Sequence, residues 1–249
     1  MPIPDRIRLA KEKTRRVVDH LHYLLELHEN NAIELYSPTL SQQIPTSFAA
    51  NAFRVFQQGM HQIEIVRLCA LWDSTEPQKE NIPTVIDLID HPDVIDTLAQ
   101  ETASHWRGAG GAVLNPSDDP ELQKIEAEAL QRANEQFGEE QAQEARDGLR
   151  KAIGDSRAII ASPKHASIMN LRDKHLAHSL SETRREQKVG PLPPVKYGDE
   201  RDMLDATLPI VEALYCWVNG TSLSFQQSRE IDRKNARALW RACSFNVIQ

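Results

Sequence analysis

The run IRLAKEKTRRVVDHLHYLLELHENNAIEL, Ile7 to Leu35, sets the fold class. Val17, Leu21, Leu24, Leu25 and Leu27 fall at helical spacings, and charged or polar residues fill most other positions. That pattern gives a helix of 3.6 residues per turn one apolar stripe, as a helix half-buried in a bundle requires. The same period continues outward. After Ser37-Pro38 and Pro45-Thr46, either Thr46 or Ser47 caps a second helix reaching about Trp72. Phe53, Phe56, Met60, Ile63, Leu68 and Leu71 are expected on its apolar side. Asp73 to Pro77 is a break, and a third helical pattern follows, interrupted near His91-Pro92.

Arg107 to Pro120, with Gly108, Gly110, Gly111 and Pro116, is expected to be a loop. The Glu-, Gln- and Ala-rich stretch 116–160 has few apolar contacts, which predicts a long, largely solvated helix or hairpin on one edge of the bundle. Ser162-Pro163 precedes a helix over about Lys164 to Leu180, and 181–198 is expected to be loop. A helix over Asp199 to Asn219 stops at Gly220, and 221–249 supplies a last helix from Ser224 to about Trp240. No strand-period alternation of useful length and no fixed repeat occurs. The expectation is all-α: one domain over 1–249, a bundle with a long helical insertion and an extra C-terminal helix.

Composition narrows the function. Among 249 residues, 36 Asp+Glu outnumber 29 Lys+Arg, for a formal charge of −7. That excludes a surface basic enough to grip nucleic acid everywhere, although not a local basic patch. Cys69, Cys216 and Cys243 are an odd, scattered set without a CxxC pair, which argues against a disulfide scaffold or a cysteine-built zinc site and fits a reducing cytosol. The first residues reach charge quickly and carry no apolar run, so a secretory signal is not expected. No stretch approaches the roughly 20 apolar residues that span a bilayer. A cytoplasmic protein with no membrane partner is expected.

One segment concentrates chemistry: Asn170-Leu171-Arg172-Asp173-Lys174-His175-Leu176-Ala177-His178-Ser179. On a continuous α-helix, Arg172 and His178 lie about 120° apart around the axis and about 9 Å apart along it, with His175 between them. Both could look into one groove. A histidine takes and returns a proton near neutrality. An arginine offers a fixed fork of donors to a phosphate gaining negative charge. Asp173 can orient either, and the charge of Lys174, four residues before His178, disfavours a protonated imidazole there. These parts suffice to cleave RNA without a metal: His178 at the 2′-hydroxyl or the leaving oxygen, Arg172 on the phosphorane-like charge. The bland alternative is an Arg–Asp pair and two histidines that serve packing and capping.

Arg-Asp-Lys-His-Leu-Ala-His resembles the signature of the HEPN superfamily (higher eukaryotes and prokaryotes nucleotide-binding), an arginine and a histidine four to six residues apart with a polar residue directly after the arginine. Here the gap is five and Asp173 fills the polar slot. Ala177-His178-Ser179, the upstream Val66-Arg67-Leu68 with Trp72-Asp73, and the downstream Tyr197-Gly198-Asp199 resemble the AbiU-type branch, named for bacterial abortive-infection systems. The resemblance spans about residues 10–220; the Glu-rich insertion lies outside it. It implies a helical bundle that dimerises so that two motif helices meet. It further implies a metal-independent endoribonuclease, with no cofactor, acting in phage defence or as a toxin. Arg172 and His178 are then the catalytic candidates with Asp173 supporting, RNA and a homodimer the expected partners, and an antitoxin protein a further one. Some members bind RNA, a nucleotide or a partner without catalysis, which is the alternative reading.

Around the motif, Arg172, Lys174, Arg184, Arg185 and Lys188 face Asp173, Glu182 and Glu186. This local positive surplus suits a phosphate-binding cleft. Lys174, His175, Arg184 and Arg185 are therefore the substrate-binding candidates. Arg229, Arg233, Arg237 and Arg241 form a slanting basic stripe on the last helix; the favoured reading is a solvated face paired with Glu230, Asp232 and the acidic insertion. Arg67 and Asp73 read as structural, a buried pair plus a cap. His20, His22 and His28 lack the spacing of a chelate, so no metal site is expected. Gly108 to Gly111 lacks the strand and the Lys-Ser/Thr of a phosphate loop.

Overall fold

The computed structural model describes residues 1–108 and 117–245, and among them it has ten α-helices, one π-helical turn and no strand. The all-α expectation holds. The helix α1 (Ile3–Tyr36) runs through the middle and packs against α3 (Phe48–Leu71), α4 (Ile82–Ile89), α5 (Pro92–Gly108), α9 (Asp199–Asn219) and α10 (Phe225–Ala242). Its stripe of Val17, Leu21, Leu24 and Leu25 is buried against Ile65, Leu68, Val85, Ile89, Leu204 and Val211 of the neighbouring helices. Helices of this length persist because that burial stabilises them; isolated helices are marginal in water. The short α2 (Pro38–Gln43) starts at a Ser37 cap, and Ser47 caps α3.

The Glu-rich stretch is one helix rather than a hairpin: α6 runs from Pro120 to Ile160, 41 residues and about 60 Å at 1.5 Å per residue. Its first half is largely solvated, and its second half buries Ala142, Ala145, Leu149 and Ile153. Small residues let it lie close to α5, where Ala99 and Ala103 meet Ala142 and Ala145. Gly148 is fixed by packing, since a Cβ there would lie 2.1 Å from Nε1 of Trp217 on α9. The expected loop from Arg107 to Pro120 falls mostly on residues outside those described, although Arg107 and Gly108 still belong to α5.

Three expectations need correction. The helix through the motif does not reach Leu180: α7 (Pro163–Leu171) passes into a π turn (Arg172–Leu176) and the helix ends there. The segment 181–198 is not all loop, because Thr183 and Glu186 form a reciprocal cap that starts α8 (Arg184–Val189). The apolar side of α3 is only half a core face. Leu68 and Leu71 are buried, yet Phe56 and Ile63 are exposed, and no residue of α3 before Glu64 is buried.

Candidate active site

Pro163 and the Ser162 cap start α7, and Ile168 and Met169 anchor it in the core. Then the backbone widens. Ala177 N–H donates to the carbonyl of Arg172 at 2.8 Å, five residues back, and Leu180 N–H donates to Lys174 O at 3.0 Å. A π turn inserts an extra residue into the winding, a device often found at functional sites. Its consequence is that the straight-helix placement of the motif fails. His175 and His178 serve different hollows: His175 lines one beside α3, whereas His178, in the loop after the turn, lines a cleft against α8.

That cleft, about 760 Å³, is lined by Asp173, His178, Leu180, Thr183, Arg184, Arg185 and Lys188. His178 and Arg184 are exposed, and Asp173 is the cleft's one lining carboxylate. Arg172 is half-buried behind it. Its Nε and Nη2 donate to Asp173 Oδ1 at 2.9 and 2.7 Å, and its Nη1 lies 3.5 Å from Asp73 Oδ1 at the end of α3. Burial works against the charge of Arg172, but the bonds to Asp173 and the charges of Asp173 and Asp73 outweigh it, so its pKa is raised. Asp73 is likewise held below the usual carboxylate range. Burial opposes this, and the Ser74 N–H, Lys79 and Arg172 overcome it.

Lys174 does not line the cleft. Its Nζ donates to Glu186 Oε1 at 2.9 Å, and Glu186 Oε2 accepts from the Thr183 N–H at 2.9 Å. Those two contacts hold the Glu186 carboxyl down at about 2. The Lys174 charge is therefore paired with Glu186. Thr183 in turn donates through its hydroxyl to Oδ1 of the buried Asn170. Together these bonds pin α8, and with it Arg184, Arg185 and Lys188, to the motif segment. Of the sequence candidates, Asp173, His178, Arg184 and Arg185 share the cleft, Arg172 reaches it through Asp173, and Lys174 and His175 lie outside it.

A sequence model of the HEPN AbiU2 family matches residues 10–239. The chain belongs to that family. The match runs past the limit of about residue 220 expected from the motif and takes in most of α10, so the last helix is part of the AbiU2 family's extent. It also spans α6. No match was found among curated proteins or among solved structures.

Asp73 is the residue that sequence reasoning misplaced. It was expected to pair with Arg67, but the Arg67 guanidinium lies over the Tyr23 ring, 5.2 Å from its centre, while Asp73 bridges Arg172 and Lys79. The one available signal was its place in the Trp72-Asp73 fragment of the AbiU resemblance. The basic stripe of α10 is partly consumed, though by other partners than expected: Arg229 and Arg233 bind Glu29 of α1, and Arg229 also binds Asp205 of α9. Cys69 is buried, and burial pushes its thiol up to about 12, the behaviour of a packing cysteine rather than a nucleophile. His28 is buried against Glu64, with Nδ1 2.6 Å from Oε1. No helix among the described residues is long and apolar enough to cross a membrane.

Proposed function

We propose that this AbiU2-family chain is a metal-independent endoribonuclease of the HEPN type, acting in phage defence or as a toxin in the cytoplasm. The observation that carries the reading is the shared cationic cleft. An exposed imidazole, His178, sits in it with Arg184, Arg185 and Lys188, and a guanidinium fixed by two carboxylates stands behind its single lining carboxylate. In the reaction, the 2′-oxygen of a ribose forms a bond to the adjacent phosphorus and the bond to the 5′-oxygen breaks. His178 handles the proton at the 2′-hydroxyl or at the leaving oxygen, and Arg172 meets the charge that builds on the phosphate oxygens. Arg184, Arg185 and Lys188 hold neighbouring phosphates. No cofactor is needed for these steps.

Two copies are proposed to pair so that both motif segments share one active centre. In support, Phe48, Val55, Phe56, Ile63 and Val66 are all exposed along one side of α3, Phe48 at 95%. That stripe ends one to two turns before Asp73, the partner of Arg172. A contiguous apolar face of this kind suits a self-complementary contact. A toxin also needs restraint, and an antitoxin protein is the proposed partner.

The second reading is a non-catalytic module that binds RNA, a nucleotide or a protein. It is favoured by the same Arg172 bonds, because a guanidinium held by two carboxylates also serves as a structural ion pair. Incubating wild type, Arg172→Ala and His178→Ala with mixed RNA in excess EDTA separates the two. Cleavage that survives EDTA and is lost in both variants, with melting temperatures near wild type, supports the nuclease. Equal behaviour of all three removes it.

A further inference from the structure

On the other side of the π turn from the His178 cleft lies a hollow of about 800 Å³ between α3, the motif segment and residues 195–197. Its lining holds four basic side chains, Arg54, His61, His175 and Lys196, and no carboxylate, in a chain of net charge −7. At its rim Tyr197 is 74% exposed. The ring is not loose. It lies stacked on His61, with centroids 5.3 Å apart and planes 27° apart. Oε1 of Glu200 lies near His61, 3.7 Å from Nε2, which is too long for a hydrogen bond. Glu200 is buried and accepts from the Gly198 N–H through both oxygens at 3.1 and 3.0 Å. Buried Glu200 thus fixes the backbone next to Tyr197, and His61 backs one face of the Tyr197 ring.

The geometry points to a second binding site here, for a nucleobase of single-stranded RNA stacked on Tyr197, with its flanking phosphates on Arg54 and Lys196. Stacking on an exposed, pre-positioned ring is the sequence-tolerant part of single-strand recognition, and cations along the groove follow the backbone. Gln58 and Gln62, on the same wall of α3, carry the amide donors and acceptors that read base edges. Duplex RNA offers no unstacked base to such a ring, so the site selects single strands. His175 lines this groove and His178 lines the cleft, three residues apart. Three residues span about 10 Å at most, so the lining residues His175 and His178 bring the two hollows close along the chain, which suits one strand that occupies both. This placement rests on the ribonuclease reading for its purpose, although the binding itself does not require cleavage.

The test uses the full-length His178→Ala protein in EDTA, so that the probe stays intact, and a 5′-fluorescein-labelled single-stranded RNA decamer of mixed sequence. Adding Tyr197→Ala is expected to weaken binding by about 5- to 100-fold, and Tyr197→Phe to retain it. Arg54→Ala with Lys196→Ala is expected to lower the slope of log affinity against log salt. A decamer carrying 4-thiouridine is expected to crosslink to Tyr197 or His61. Unchanged affinity in Tyr197→Ala, crosslinks confined to α8, equal affinity for duplex RNA, or displacement of the decamer by a polyglutamate peptide at matched charge each overturns the assignment. Loss of the groove and loss of the nuclease are distinguishable. Wild type that cleaves while Tyr197→Ala binds normally removes only the groove, and Tyr197-dependent binding by a wild type that never cleaves removes only the nuclease.

Discussion

Nη1 of Arg172 lies 3.5 Å from Oδ1 of Asp73, so the motif arginine is tied to the end of α3 as well as to its own neighbour Asp173. A guanidinium held from two directions cannot swing, and a fixed donor is what stabilises developing charge without reorganising. The same clamp couples the motif segment to the helix that carries both the exposed apolar stripe and the Arg54 groove.

Asp73→Asn removes one carboxylate and leaves Asp173 in place. With both partners partly exposed, the expected stability loss is about 1 kcal/mol. Cleavage is expected to fall through kcat with KM little changed, because Asp73 positions Arg172 and is not among the residues that line the cleft. Steady-state kinetics on a short RNA, alongside thermal melting, decides it; unchanged kcat would assign Asp73 to folding alone.

The bonds that Glu186 accepts from the Thr183 N–H and from Lys174 give the motif an acid limit. Glu186 sits at about 2 in the fold against an ordinary 4.5. A depressed carboxyl contributes its full stability above about pH 4.5 and loses it as pH falls toward 2. Glu186→Gln should therefore flatten the acid limb of the stability curve in that window. Lys174→Ala should loosen α8 and raise KM for RNA, with a smaller effect on kcat. A KM like wild type in Lys174→Ala would show that α8 stays in place without this bond.

Glu34 works in the opposite direction. It is buried, its Oε2 has no hydrogen-bond partner among the described residues, and burial raises its carboxyl from 4.5 to about 7. Between those values the folded chain keeps a proton that the unfolded chain has lost, so stability declines as pH rises, by up to about 3 kcal/mol above pH 7. Glu34→Gln is expected to raise the melting temperature at pH 8 and to be close to neutral at pH 4.5. An identical shift at both pH values would show that Glu34 is charged in the fold.

The α3 stripe predicts self-association. Val55→Glu or Ile63→Glu places a charge on an exposed apolar surface, which costs the monomer little and a pairing surface much. Sedimentation velocity is expected to show a dimer in wild type and a monomer in either variant, with helicity by circular dichroism unchanged. A wild-type monomer, or dimers that persist in both variants, would exclude this face.

The bundle was legible because its core uses the helical period directly: the stripe of α1 is buried as spaced, and Ser47 and Gly220 stand at the helix ends where the residue types place them. The candidate site was legible only in part. Residue identity and spacing singled out Arg172, Asp173 and His178, but spacing on an ideal helix misplaced them, since a π turn has no sequence signature comparable to a proline or a cap. Asp73 acts across a long stretch of chain, and a carboxylate's partner at such a distance is set by packing rather than by local pattern. For the same reason Phe56 and Ile63 read as core. The period shows that a face is apolar, whereas only the packing of neighbouring helices shows whether that face is covered.

The most direct test of the central claim is the fate of mixed RNA incubated with purified protein in excess EDTA, with end-group analysis of any fragments. The account expects fragments with 2′,3′-cyclic phosphate and 5′-hydroxyl ends from wild type, and none from a His178→Ala protein that melts at the wild-type temperature. The account is contradicted if wild type leaves RNA intact, or if His178→Ala cuts at the wild-type rate.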